Sequence, residues 1–217
     1  MKNTTRIIRL LIFGGFIFAA LLWVFARTHV PVEPDIKDGG FLSGEPCGPP
    51  CFLSIVPGVT RETQAVKILA EKGLYQNCFS YNNEAESGLR GISCSFVGIA
   101  YYRGTDVIGS VSFNPSRNLT VEDVVTKYGN PDAVVVGTMG TPEEQPHTMM
   151  ALHYESMHAN IGLGEQEGLK FNIASTTPIE TIGYSDSGWP SPSEYESANK
   201  LSSPWSGYGE YHETPIR

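Results

Sequence analysis

Four cysteines and five histidines are the residues in this chain of 217 best suited to chemistry. Cys47, Cys51, Cys78 and Cys94 are even in number, and in an oxidising compartment an even count reads as two disulfides. Three pairings exist, and the sequence does not choose among them. The favoured one joins Cys47 to Cys51 around Gly48-Pro49-Pro50 and Cys78 to Cys94 between two strands. Redox motifs usually place two residues between their cysteines, whereas Cys47 and Cys51 are separated by three. A four-thiolate zinc site wants closer spacing than the interval from Cys78 to Cys94.

The histidines give weaker signals. His153 and His158 lie five apart, a spacing that does not place both on one helix face. His29, His147 and His212 stand alone in sequence. Nucleophilic catalysis needs a serine or cysteine within reach of a base, and no G-x-S-x-G occurs. Glu122-Asp123 reads as the acidic first turn of a helix and Glu143-Glu144 as loop, so neither pair looks desolvated enough for acid catalysis at neutral pH. Gly162-x-Gly164 has no phosphate-loop context. The expectation is therefore no catalytic residue, no cofactor and no metal. Tyr101, Tyr102, Trp189, Trp205 and Tyr208 remain as candidates for a partner-binding aromatic face, against the ordinary alternative that strand and tail aromatics pack on one another.

The elements that must position these residues begin with a leader. Lys2, Arg6 and Arg9 precede an apolar run from Leu10 to Ala26, closed by Arg27. A helix over that run reaches roughly 26 Å, close to a hydrocarbon core of ~30 Å. The excess of positive charge before the run keeps the N-terminus cytoplasmic and places the body outside. The expectation is residues 1–27 as a membrane anchor crossing through residues 10–26. The alternative is a signal peptide cleaved near Ala26, with a secreted product.

None of the 23 acidic residues lies in the leader, but four of the 15 basic ones do; the remainder carries 11 against 23, a net of −12. Such a body is repelled by phosphate, so nucleic acid is not an expected partner. Pro31, Pro34, Pro46, Pro49 and Pro50 exclude a helix from residues 28–51, which read as a stiff stalk.

Residues 52–184 read as an α+β domain of antiparallel sheet with one helix per half, 52–115 and 116–184. In the first half Thr60 is the expected N-cap, Ala65, Val66, Ile68, Leu69 and Ala70 form the apolar face, and Gly73 is the stop. Strands follow at Tyr75–Tyr81, Ile92–Arg103 and Asp106–Phe113. In the second half Thr120 caps a helix with Asp123 three residues on, and Gly129-Asn130-Pro131 ends it. Further strands are expected at Ala133–Val136, Thr148–Glu155, Ala159–Leu163, Leu169–Ile173 and Ile179–Tyr184, with a hairpin loop at Gly137–Pro146. Residues 185–217, rich in Ser, Pro, Gly and Tyr, read as a loop-rich tail.

The run Leu119-Thr120-Val121-Glu122-Asp123-Val124-Val125, followed by Tyr128-Gly129-Asn130-Pro131, resembles the helix-and-turn signature of small extracytoplasmic bacterial modules. These include BamE-like assembly lipoproteins and the tandem repeats of β-lactamase-inhibitor proteins. Pro57-Gly58-Val59-Thr60 through Leu69 is similar to a second copy, with Lys72-Gly73-Leu74 in place of the Gly-x-Pro ending. The resemblance implies a protein-binding module rather than an enzyme and assigns no binding residue. The functional expectation is a membrane-anchored, extracytoplasmic, non-catalytic module that binds a protein or cell-envelope partner. The alternatives are a hydrolase using His147, His153 or His158 and a purely structural surface protein.

Overall fold

The computed structural model describes residues 36–83, 89–102, 104–116, 118–139, 147–167, 170–186 and 200–212, with Gly14, Gly15, Ile17, Phe18 and Trp23 in the leader. The chain divides into two compact units, Met1–Pro34 and Asp35–Arg217. In the first, the five described residues are helical and exposed. Among the described residues no helix is long and apolar enough to cross a membrane. Most of the run from Leu10 to Ala26, and the spacer up to Asp35, lie outside the described residues.

The second unit is α+β, with two helices and a large antiparallel sheet. The elements are α1 (Glu62–Glu71), β1 (Phe79–Asn83), β2 (Leu89–Ser93), β3 (Val97–Tyr102) and β4 (Ile108–Phe113), then α2 (Val121–Tyr128), β5 (Ala133–Met139), β6 (His147–Tyr154), β7 (Ala159–Glu167), β8 (Lys170–Ile173), β9 (Thr181–Ser185), β10 (Lys200–Pro204) and β11 (Gly209–His212). Nine strands form one sheet in the order β1-β2-β3-β4-β9-β7-β6-β5-β10, and β8 pairs with β11 apart from it. Every pairing is antiparallel.

Each helix begins against the segment that leads into a central strand, α1 against that of β4 and α2 against that of β9. Ile108 N–H donates to the Thr60 carbonyl at 2.8 Å, and Glu62 N–H to that of Asp106 at 2.7 Å. Ile179 N–H donates to the Leu119 carbonyl at 2.8 Å, and Val121 N–H to that of Thr177 at 3.0 Å. Bridges at Arg61–Val107 and Thr120–Pro178 share this register. The expected cap at Thr60 is therefore displaced by one residue. With its carbonyl bonded to Ile108, Thr60 turns its hydroxyl back to accept from Val56 N–H at 2.8 Å, and Arg61 becomes the N-cap. Thr120 does cap α2: its Oγ1 accepts from Asp123 N–H, and Thr120 N–H donates to Asp123 Oδ2 at 2.9 Å. Gly73 and Gly129, both at positive φ, end the helices as their positions predict.

Apolar side chains from one face of the sheet, both helices and β8–β11 form a single core cluster. Residues 36–56 belong to it. Phe41, Phe52 and Ile55 are fully buried, Phe52 stacks on Phe113 with centroids 4.2 Å apart, and Phe41 lies 5.0 Å from the Tyr128 ring. The expected stalk thus ends before Ile36, because the aromatic residues among its glycines and prolines cover the middle of the sheet. Gly39 is required there: at φ +60° a Cβ would meet the Phe113 ring at 2.6 Å and that of Phe52 at 2.8 Å. Asp38, 5% exposed, accepts hydrogen bonds from the N–H groups of Gly40, Leu42 and Ser43 and from the Ser43 hydroxyl. The Tyr128 hydroxyl donates to the Phe41 carbonyl.

Two strand expectations change. The single strand over Ile92–Arg103 is a hairpin, β2 and β3, because Cys94 N–H bonds the Val97 carbonyl at 2.8 Å and closes a turn inside the alternation. The tail carries two strands: β10 extends the sheet beside β5, and β11 pairs with β8. The cysteines pair as favoured, Cys47–Cys51 and Cys78–Cys94. The second pair closes the open end of the β1–β2 hairpin, next to the Phe79–Ser93 position.

Loop-closure entropy assigns about 3 kcal/mol to the 16-residue separation of Cys78 and Cys94 and about 2 kcal/mol to the short Cys47–Cys51 loop. Denaturant titration of Cys78→Ala/Cys94→Ala is expected to show the larger loss. A second outcome concerns Asp38. Burial pushes its carboxyl up, but hydrogen bonds from Gly40, Ser43 and Leu42 outweigh burial and hold it below the ordinary 3.8. Its stabilisation is complete above the ordinary carboxylate range and is lost as pH falls through the lowered folded value. Asp38→Asn should cost about 1–3 kcal/mol at neutral pH and flatten the acid limb of a stability–pH profile.

Candidate functional site

The register across the sheet sorts its residues into two faces of different chemistry. On the core side Val97, Phe113, Ile182, Ile161, Leu152 and Val134 stand in line and are buried. On the opposite side small residues stand in line. Ser93, Gly98, Ser112 and Gly183 are neighbours across β2, β3, β4 and β9, with Phe79 at the β1 end. The row continues through Asn160, His153, Ala133 and Pro204 to the β10 edge. A second row runs Thr181, Gly162, Ala151, Val135 and Ser202. A third runs Tyr81, Gly91, Ala100, Ser110 and Ser185.

None of these 19 positions holds Asp, Glu, Lys or Arg, in a chain that is 18% charged. By register the charged residues Glu165 and Glu167 in β7 and Lys200 in β10 fall on this side, at the far ends of their strands. Among the described residues no element of the core cluster covers this face. Ser112 is exposed, and Gly98, Ser110, Asn160, Gly183 and Thr181 are half-buried. Phe79 is 63% exposed. Tyr81 lies across Gly91, where a Cβ would strike the tyrosine ring and the Ile99 carbonyl. On this face His153 Nδ1 and Asn160 Oδ1 stand 2.9 Å apart.

The aromatic candidates fall in different places. Tyr101 is 1% exposed and faces the core, because β3 presents alternate residues to opposite sides and Tyr101 shares the side of Ile99. It is not available to a partner. Arg90 lies over its ring at 5.2 Å and reaches the Thr105 carbonyl at 2.8 Å and Glu62 at 3.4 Å. Burial first, then the Glu62 carboxylate, raise the Tyr101 phenol. Among the described residues the buried Tyr101 hydroxyl and Arg90 Nε have no hydrogen-bond partner. Trp205 is half-buried, stacked on Tyr211 at 6.1 Å and edge-on to Tyr208 at 5.8 Å, while Tyr208 is 47% exposed. The backbone of Tyr102 ends β3; its side chain, and all of Trp189, lie outside the described residues.

The histidines are not brought together. His153 stands in the uncharged row, and His158 is exposed in a left-handed turn after the short 3-10 helix at Glu155–Met157. The backbone of His147 opens β6, and that of His212 closes β11. Among the described residues no group of three His, Cys, Asp or Glu is placed to hold a metal ion. An open groove of about 340 Å³ lies along the outer side of α1, lined by Ser54, Thr60, Gln64, Lys67, Ile68 and Glu71. Its charges, Lys67 and Glu71, stand 3.9 Å apart as an exposed pair one helical turn from each other.

Sequence reasoning missed the open face. Its residues were legible only as the polar partners of alternating strands, and their alignment across nine strands depends on a register fixed by tertiary pairing.

The placement of Tyr101 is checked by thermal unfolding. Tyr101→Phe removes an unpaired buried hydroxyl and keeps the ring under Arg90, so it should be neutral or stabilising by up to about 1 kcal/mol. Tyr101→Ala should cost about 3–5 kcal/mol. Comparison with protein-family models, with curated proteins and with solved structures finds no match to the chain.

Proposed function

We propose that the chain is a membrane-tethered, extracytoplasmic, non-catalytic module that binds a protein or cell-envelope partner through the open face of its sheet. The observation that carries this reading is the face itself, its three central rows free of charge on an acidic domain whose core cluster, among the described residues, lies on the other side. Depletion of charge at the centre, with charge returning at the rim, is the anatomy of a protein interface. The leader and the two disulfides support a place outside the cytoplasm. The order of elements supports the resemblance to tandem modules. One helix and four sheet strands occur twice, α1 with β1–β4 and α2 with β5, β6, β7 and β9, and the two groups meet at β4 and β9. In this reading Arg61 corresponds to Thr120, and Thr60 to Leu119.

The test is chemical cross-linking in intact membranes followed by purification of the full chain. The wild type should retain a specific envelope protein or cell-wall fragment, and Ser112→Arg should lower that retention by about tenfold or more. Val59→Arg, at an exposed position in the turn before α1, should leave it unchanged. Equal retention by all three chains would remove the open face as the binding surface. Recovery of the wild-type chain from the cytosol with four free thiols would remove the location.

A further inference from the structure

We propose that the occupant of the open face is a second copy of this chain, docked sheet to sheet about a two-fold axis. This names the partner of the surface proposed above and rests on that reading.

Three observations carry it. The first is the absence of charge. In an isologous interface the residues near the axis meet their own counterparts, so any charge there would face an identical charge. Ser112 and Gly183, paired at the β4–β9 junction near the middle of the sheet, are small and neutral. A partner recognised through opposite charge would need charged positions on the face, and the three rows have none. Two bodies of net −12 repel, and the uncharged rows are the surface on which that repulsion is smallest.

The second is size. With strands about 4.8 Å apart and alternate residues about 6.8 Å apart, the positions other than the buried Gly91 and Ala100 cover about 550 Å² on each copy. A pair then buries about 1,100 Å², just above the roughly 1,000 Å² that a specific interface should clear.

The third is shape. The β1 end of the face carries Phe79 and Tyr81, while the β5 end carries Ala133 and Val135. A two-fold axis parallel to the strands reverses strand order between copies and sets each β1 over the other's β5. The exposed Phe79 ring of one copy then lies on the small apolar floor of its partner, and the contact occurs twice.

The test measures the protein mass of the purified full chain in mild detergent by light scattering, with bound detergent subtracted. The wild type should give twice 23.7 kDa. Ser112→Arg and Thr181→Arg, at two points of the face, should each weaken self-association by about tenfold or more with the melting temperature unchanged, and Val59→Arg should remain paired. A wild type that stays monomeric at roughly 100 µM overturns the inference. So does a pair that neither face variant weakens. A monomer that still retains an envelope component, lost in Ser112→Arg, overturns the two-copy inference and keeps the binding reading. A monomer that retains nothing overturns both.

Discussion

The pairing of β4 with β9 carries the rest of the molecule. It joins residues 69 to 75 apart in sequence through four register positions, Ser110–Ser185 to Phe113–Ile182. Without it each group of four strands would expose a free edge and a core too narrow to stand alone. The junction is held from one side only. Phe113 and Tyr184 lie 6.0 Å apart on its core face, and Phe52 and Phe41 cover them from the N-terminal segment. Gly39 lets that segment approach the Phe113 ring closely. Tyr128 ties α2 to the same segment through the Phe41 carbonyl, and burial, then the nearby Asp38 carboxylate, push its phenol up to about 12. Four stretches of chain distant in sequence thus share one contact region, so loss of the cover loosens both halves.

What was legible in the sequence was local. The Thr120–Asp123 box, the glycine stops and the alternation of β4 and β9 depend on residues within a few positions of one another, and all appear where local chemistry places them. What was not legible depends on a distant partner. Thr60 has the chemistry of a cap, but its carbonyl is engaged by Ile108, 48 residues on, and the cap moves to Arg61. The prolines of residues 28–51 exclude a helix correctly but are silent about burial. Phe41 and Phe52 carried that signal, and its meaning depends on Phe113 and Tyr184. Lys200–Pro204 has no apolar alternation of its own and becomes a strand because β5, with Val134, Val135 and Val136, offers an edge to pair with.

The same dependence separates the aromatic residues. Tyr101 and Phe79 are both strand aromatics, and composition treats them alike. The pleat of β3 sets Tyr101 into the core beside Ile99, with the register shift taken up by Gly109 in β4, while the pairing of Phe79 with Ser93 puts it on the open side. A parity difference of one residue decides which ring meets solvent. Residue type therefore could not tell which aromatic side chains reach the open face, although it could identify the chain's supply of aromatic area.

The open face is also where the sequence departs from what stability alone would select. Gly98, Gly162 and Gly183 sit inside strands, and Ser93, Ser110 and Ser112 fill positions where β-branched or charged side chains would hold a solvent-facing strand better. Glycine in a strand interior weakens it, because the chain loses more freedom on ordering and offers no side chain to pack. Tyr81 offsets part of this at Gly91 by lying across it, but no described side chain is shown doing so at Gly183. The caps, turns and core of the fold agree with one another, and the exceptions to those rules gather on one coherent surface, the pattern expected of a surface selected for something besides stability. Small residues along these rows leave the backbone of the strands close to the surface, a condition that a stable monomer does not require.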